Sequence, residues 1–356
     1  MGFNETIFLT GFPGFIAGRL VRRLAVGGAR FMLLVQPEFA ARAREDVARI
    51  AAETGTSVER FQVMEGDITR PGLGLTKANQ EVAHNEATMI FHLAAIYDLG
   101  VARARAMLVN VAGTRYVNAF ARSLLSLRRY HYVSTCYVAG RRTGLIREDE
   151  LQHTAGFRNY YEETKYLAEL EVEALKRELP VTIHRPSVVC GDSQTGETAK
   201  YDGVYYLINY LRMQPALLSL VNIGNREVRL NVAPIDFVVE AMAALAYDER
   251  AAGKTVQLAD PAPLTTHELF EANAHSLAGR SSRITVPAPL VRTSLNLPIS
   301  ENISGLPRVA VPYFFLDQTY DTTNAENLLD PHGVRCPPFA SYVEALIEFV
   351  ARHPKL

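Results

Sequence analysis

The stretch Thr10-Gly11-Phe12-Pro13-Gly14-Phe15-Ile16-Ala17-Gly18 lies between a short apolar run, Thr6 to Thr10, and a helix-period stretch, Gly14 to Val26. A glycine loop that leaves a strand and opens a helix restricts the fold severely, because this context suits backbone wrapped around a phosphate. Gly11 permits the tight turn, Gly14 lets the backbone come close to a pyrophosphate, and small Ala17 lets the helix pack near its strand. The helix start offers free N–H groups and a partial positive charge. The loop predicts a dinucleotide site with Gly11, Phe12, Gly14, Phe15 and Ile16 around the phosphates.

The first half repeats this rhythm. Apolar runs at Thr6–Thr10, Arg30–Val35, Arg60–Glu65, Thr88–Leu93, Arg129–Ser134 and Val181–Arg185 alternate with helix-period stretches at 14–26, 40–54, 102–127 and 160–178. Strands separated by crossover helices predict an α/β fold, a Rossmann-like doubly wound parallel sheet. Beyond residue 190 the pattern breaks into Gly- and Asp-rich loops and a proline-punctuated stretch from 287 to 312. We expect a cofactor domain over 1–190 and a smaller, interleaved C-terminal substrate-binding region over 191–356. Its part near 231–258 is expected to return to the main domain.

Lys plus Arg (37) nearly balances Asp plus Glu (38), which removes the electrostatic case for nucleic acid or an anionic membrane as partner. No run reaches the roughly 18 apolar residues that would suggest an integral membrane segment. A secretory leader is not expected, since the N-terminus runs almost directly into the first strand. Three cysteines without C-x-x-C spacing argue against a disulfide framework or a zinc site and fit a reducing cytoplasm. No metal is expected.

The second strand ends at Gln36, where sites preferring NAD usually carry an acid for the ribose 2′-hydroxyl. With Arg42 and Arg44 following, NADP(H) is favoured over NAD(H), although both arginines also fit as solvated helix residues. Asp67, before Ile68, suits the adenine amine, and equally a turn.

Tyr161 and Lys165 stand four apart in a helical stretch and so share a face. Ser134-Thr135 closes the preceding strand, where a hydroxyl faces the ligand crevice. Hydride transfer to a carbonyl builds charge on oxygen that must be hydrogen-bonded and protonated. Tyr161 would donate the proton, Lys165 would lower its pKa, Thr135 would hold the oxygen, and Asn110 would position Lys165 through a water. For Asn110 a plain polar helix residue is the rival reading.

The glycine loop, Gly66-Asp67-Ile68, His92-Leu93-Ala94-Ala95, Asn110, Tyr132-Val133-Ser134-Thr135, Tyr161-x-x-x-Lys165 and Arg185-Pro186-Ser187 together resemble extended short-chain dehydrogenases over roughly residues 6 to 195. The resemblance implies Ala94 and Ala95 beside the adenosine, Pro186, Ser187 and Val188 beside the nicotinamide, and Ser134 near the cofactor. It also implies a possible homodimer.

A narrower resemblance rests on Val133 to Gly140, Tyr161-Glu162-Glu163-Thr164-Lys165 and Gly191 to Gly196. These look like fatty acyl-CoA reductases and the thioester-reductase domains of carboxylic acid reductases. That branch uses NADPH to reduce an acyl thioester to an aldehyde, and its arginine after the second strand is replaced here by Gln36. A small-molecule carbonyl or acyl-thioester substrate is therefore expected, with Tyr97, Tyr137 and Tyr206 as candidate lining. Rival readings are a secondary alcohol or ketone dehydrogenase, a nucleotide-sugar epimerase or dehydratase, and a non-catalytic NADP-binding sensor.

Several features are read as structural. His267-Glu268-Leu269-Phe270-Glu271 lacks the second histidine of a zinc helix. His92 reads as a satisfied core histidine, Cys136 as a thiol without an activating base, Tyr205, Tyr206 and Tyr210 equally as core, and Arg141-Arg142 as a solvated loop.

Overall fold

A computed structural model describes residues 5–213, 221–295 and 306–354. The chain runs β1 (Thr6–Thr10), α1 (Phe15–Val26), β2 (Arg30–Val35), α2 (Ala40–Thr54), β3 (Phe61–Glu65), α3 (Lys77–Glu86) and β4 (Met89–His92). Next come α4 (Arg103–Ala106), a π-helical segment (Met107–Ala112) that continues it into α5 (Gly113–Ser123), and β5 (Arg129–Val133). Then follow β6 (Gly144–Ile146), α6 (Tyr160–Leu175), β7 (Val181–Pro186), β8 (Val188–Cys190), α7 (Val204–Met213), β9 (Val221–Asn222) and β10 (Val232–Pro234). The remainder is α8 (Ile235–Leu245), β11 (Thr255–Leu258), α9 (Thr266–Ala278), β12 (Ile284–Thr285), α10 (Ala288–Leu295), β13 (Gln318–Tyr320), α11 (Thr323–Leu329) and α12 (Val343–Arg352).

Seven strands form one parallel sheet in the order β11-β7-β5-β4-β1-β2-β3. Its inner strands are buried on both faces, which is why Ile7–Leu9 and Met32–Val35 read as unbroken apolar runs. On one face α1 and α8 pack together through Leu20, Val21, Leu24, Val238, Met242 and Leu245. On the other, α5 and α6 contribute Val117, Phe120, Ala168 and Val172. The sheet order reverses beside β1, so the carboxyl ends of β1, β4 and β5 open on a crevice where such folds bind ligands.

The C-terminal half meets the sheet at one strand. β11 pairs in parallel with β7, Thr255 opposite Ile183, and closes that edge. Just before it, α8 packs on the main body beside α1. β10, by contrast, pairs with β8 outside the large sheet. A separate core forms from α7, α9 and α12, around Tyr205, Ile208, Phe270, Leu346 and Val350.

Three sequence expectations need correction. The polar stretch Lys77–Glu86 is a helix that the apolar pattern did not reveal; it buries little, and Thr76 caps it by accepting from Asn79 N at 3.2 Å. The single helix expected over 102–127 is interrupted by the π segment and ends at Ser123. The helix expected to reach Glu178 ends at Leu175. No helix among the described residues is long and apolar enough to cross a membrane.

Candidate active site

The glycine loop joins β1 to α1 by a tight turn. Gly11 sits at φ +94°, and a Cβ there would come within 2.9 Å of the Leu93 and Ala94 backbone. Gly14 N donates to Gly11 O at 2.8 Å, and a Cβ on Gly14 would lie 2.7 Å from the same oxygen. Gly14 is also the N-cap of α1 and, having no side chain, leaves the first amides of that helix without a side-chain cap. Phe12 is buried in the core, while Phe15 and Ile16 are half-buried at the helix start.

A closed hydrogen-bond relay anchors this loop to β4. Thr114 Oγ1 donates to Asn110 O at 2.6 Å and therefore accepts from His92 Nε2 at 3.1 Å. His92 Nδ1 must then accept from Thr10 Oγ1 at 2.8 Å, and that oxygen accepts from Ala94 N at 3.1 Å. Burial, with help from the Lys165 charge, pushes His92 down to about 3, so the ring is neutral and its tautomer fixed. Ala94 is thereby placed on the loop after β4, beside Gly11, and Ala95 follows it in that loop.

At the adenine end, Gln36 is exposed after β2. Arg42 lies 3.8 Å from Asp46, with 69% of its side chain exposed. Arg44 is engaged more closely by Glu65, at 2.8 Å. Asp67 Oδ1 accepts from the backbone N and the hydroxyl of Thr69, both at 2.8 Å, so one carboxylate oxygen serves the turn. Ile68 is buried against Gly113 of α5, where a Cβ would come within 2.7 Å.

The catalytic candidates converge at the end of β5. Thr135 and Tyr161 are both buried here, and the Thr135 hydroxyl accepts from Tyr137 N at 3.2 Å. Asn159 opens α6 by accepting from Glu162 N at 3.0 Å, which places Tyr161 and Lys165 in its first two turns. Lys165 Nζ donates to the Tyr132 hydroxyl at 2.9 Å and to Val133 O at 2.8 Å. Burial lowers its pKa to about 7, opposed by the Glu169 carboxylate one turn on. Burial raises the Tyr161 phenol, and the Thr135 hydroxyl partly offsets this. The expected lowering of Tyr161 by Lys165 is thus not part of this arrangement, in which the ammonium is turned to Tyr132 and Val133.

Two further residues stand differently from expectation. Ser134, expected beside the cofactor, donates its hydroxyl to Glu169 on α6, because neighbouring side chains at a strand end point to opposite sides. Asn110 does not reach Lys165. Its Oδ1 accepts from Ile96 N at 2.8 Å and its Nδ2 donates to Thr164 Oγ1 at 3.0 Å, so it fixes the loop after β4 against α6. Pro186 ends β7 and Val188 opens β8. Between them Ser187 keeps a buried hydroxyl with no hydrogen-bond partner.

The tyrosines form a wall over this centre. The Tyr97 ring meets Tyr161 edge-on at 5.2 Å, and burial and the nearby Asp202 carboxylate raise its phenol. Tyr137 packs at 4.7 Å on Tyr313, from the turn Val311–Phe315. Tyr313 in turn donates to buried Glu162 at 2.6 Å and accepts from Asn159 Nδ2 at 2.7 Å. Tyr206 lies in the second half, on α7. Asp202 and Tyr313 were not singled out from the sequence, Tyr132 entered only as part of a motif, and Glu169, four residues after Lys165, carried a spacing signal.

The features read as structural take ordinary partners. Burial raises the Cys136 thiol, which donates to Arg185 O at 3.1 Å. Glu271 accepts from Asn222 and Ser282. Arg142 pairs with Glu150 at 2.6 Å, Arg141 donates to Phe157 O, and Tyr205 accepts from Gly191 N at 2.8 Å.

A family model described as male sterility protein matches residues 9–242. The chain belongs to this family. As a member of the male sterility family it is an NAD(P)-dependent oxidoreductase domain of the short-chain dehydrogenase type. It is similar to glycine betaine reductase ATRR of Emericella nidulans, 28% identical over 286 residues, or 75% of this chain and 22% of that protein. It is also similar to fatty acyl-CoA reductase wat of Drosophila melanogaster, 25% identical over 281 residues, or 69% of this chain and 54% of that protein. The chain thus spans from about a fifth to about half of these relatives. The fold is shared with the terminal R domain from the myxalamid PKS-NRPS biosynthetic pathway, at TM-score 0.82 and 24% identity, over 100% of this chain and 92% of that one.

Proposed function

We propose that this male sterility domain uses NADPH to reduce an acyl thioester, releasing an aldehyde and a thiol. The observation that carries the reading is the pair of buried hydroxyls, Thr135 and Tyr161, at the carboxyl end of β5, with buried Lys165 behind them. The similarity to a fatty acyl-CoA reductase supports a thioester over a ketone.

The chain's own groups fit the dinucleotide. Uncapped amides at the start of α1 suit the pyrophosphate, and the unpartnered Ser187 hydroxyl suits the carboxamide. Arg42, loosely held and exposed, suits a 2′-phosphate. When bound, NADPH supplies the hydride. Thr135 and Tyr161 would hydrogen-bond the thioester oxygen, and Tyr161 would give it a proton as charge develops. Tyr161 then takes the proton back from the hemithioacetal hydroxyl. The C–S bond breaks, the aldehyde carbonyl forms, and the departing thiolate is protonated by solvent.

The test follows loss of reduced-nicotinamide absorbance with a fatty acyl-CoA, the matching aldehyde and an aryl ketone, using wild type and Tyr161→Phe. Turnover of the acyl-CoA that falls by about 10²- to 10⁴-fold in the variant is expected. Activity confined to the aldehyde or the ketone rejects the thioester reading.

A further inference from the structure

We propose that Tyr97 and Asp202 form a subsite for a cation on the substrate, so that this domain acts on acyl groups carrying an alkylated ammonium a few bonds from the reacting carbonyl. The inference rests on the thioester reading and adds the charge of the acyl group to it.

The protein already places a cation there. The Lys200 ammonium lies over the Tyr97 ring, 5.0 Å from its centroid, and 3.4 Å from the Asp202 carboxylate. An aromatic face beside a carboxylate attracts ammonium groups, because the ring quadrupole is negative above its plane. Lys200 occupies this place loosely. Its side chain is 62% exposed, and an ion pair of that kind holds a lysine only weakly. Tyr97 is itself 48% exposed, so a ligand can reach it, whereas the Asp202 side chain is only 16% exposed and stays fixed beside it.

The subsite adjoins the reacting centre. Two ring contacts, of 5.0 and 5.2 Å, lead from the Lys200 ammonium through Tyr97 to the ring of Tyr161. Burial raises the phenols of Tyr97, Tyr161 and Tyr206, and the Asp202 charge adds to the rise in all three. Asp202 therefore acts on the tyrosines of the catalytic centre as well as on its sequence neighbour Lys200. Glu162, the other carboxylate beside Tyr161, is taken by Arg158 and Tyr313. A substrate that brings its own cation releases Lys200 to solvent and leaves Asp202 paired. An anionic acyl group is repelled by Asp202, and a neutral one gains nothing from it. Methyl groups on the substrate nitrogen help, because an alkylated ammonium is held by aromatic faces while the compact ammonium of lysine is strongly hydrated.

The experiment compares substrates that differ in charge but not in shape: trimethylammoniobutanoyl-CoA, charged at its far end, against the isostere in which tert-butyl replaces trimethylammonium, and the two matching aldehydes. NADPH oxidation gives kcat/KM for wild type, Asp202→Asn, Tyr97→Leu and Lys200→Met. Calorimetric titration of the two matching alcohols in the presence of NADPH, with which an alcohol cannot react, reads binding without turnover. Thermal unfolding and NADPH titration establish that each variant is folded. We expect wild type to prefer the cation by about five- to thirtyfold in kcat/KM and in alcohol binding. Asp202→Asn and Tyr97→Leu should bring that ratio towards one. Lys200→Met should raise it about twofold or more, since the resident ammonium no longer competes. If the cationic aldehyde and alcohol are preferred in this way while neither thioester is turned over, the thioester reading fails and the subsite stands. If the thioesters are reduced without regard to charge, if neither Asp202→Asn nor Tyr97→Leu lowers the ratio, or if Lys200→Met lowers it, the cation subsite is overturned and the thioester reading stands.

Discussion

Arg185 of β7 and Glu169 of α6 form an ion pair almost wholly shut off from solvent, with Nε and Nη2 of the arginine donating to one carboxylate oxygen at 2.8 and 2.6 Å. The other oxygen accepts the Ser134 hydroxyl from the end of β5. Three groups thus lock together the strand end bearing Thr135, the helix bearing Tyr161 and Lys165, and the strand end leading to Ser187. This is a registration device for the active site, made of residues that need not touch substrate.

Removing one partner leaves a buried charge alone. Arg185→Met should cost about 3–5 kcal/mol in urea unfolding, and the double variant Arg185→Met/Glu169→Leu should recover most of that loss. A single variant as stable as wild type would contradict the pairing.

Lys165 gives a pH signature. Its folded pKa, lowered by burial to about 7, lies below the 10.5 of an unburied lysine. Below pH 7 both states carry the charge and the full burial penalty applies. Between about pH 7 and 10.5 the unfolded state binds more protons, so wild-type stability rises with pH from this group. The difference in melting temperature between Lys165→Met and wild type should therefore favour the variant most near pH 6 and shrink by pH 9. A difference that is flat or grows with pH counts against a depressed Lys165.

Gly11 and Gly18 offer a matched pair. Gly11→Ala forces a side chain into φ +94° against the Leu93 and Ala94 backbone, whereas a Cβ at Gly18, inside α1, meets nothing within 4 Å. The first change should weaken NADPH binding at least tenfold and cost roughly 1–3 kcal/mol of stability. The second should be neutral or stabilise by up to about 1 kcal/mol. Calorimetric titration and thermal melts check both.

Arg42→Ala should raise the KM for NADPH by about five- to tenfold while leaving that for NADH within twofold, consistent with loss of one charge-assisted contact to a 2′-phosphate. Equal effects on the two cofactors would place the phosphate elsewhere.

How much of this was legible in the chain itself follows from what each element buries. Parallel strands covered on both faces had to be apolar throughout, so β1, β2 and β5 announced themselves, and the loop between β1 and α1 needed its glycines. Helix α3 has one fully buried residue, Ala83, and therefore no apolar period to read. The π segment depends on tertiary partners of Asn110 that lie on other elements. Ser134 and Thr135 are chemically alike neighbours, and only the direction of the strand's last residues separates the one that serves Glu169 from the one that meets Tyr161. Tyr313 and Glu162 meet across 151 residues of chain, and nothing local in the proline-punctuated stretch marks that tyrosine.

The place of β11 at the edge of the large sheet has a consequence for how the protein is made. A ribosome releases β1 to β7 first, yet β7 remains an unpaired edge until α7, β10 and α8 have also emerged and β11 can dock. The nascent nucleotide-binding half therefore waits, with a sticky flank exposed, for a strand encoded after α8, and truncation before that strand is predicted to yield aggregates instead of a smaller working enzyme.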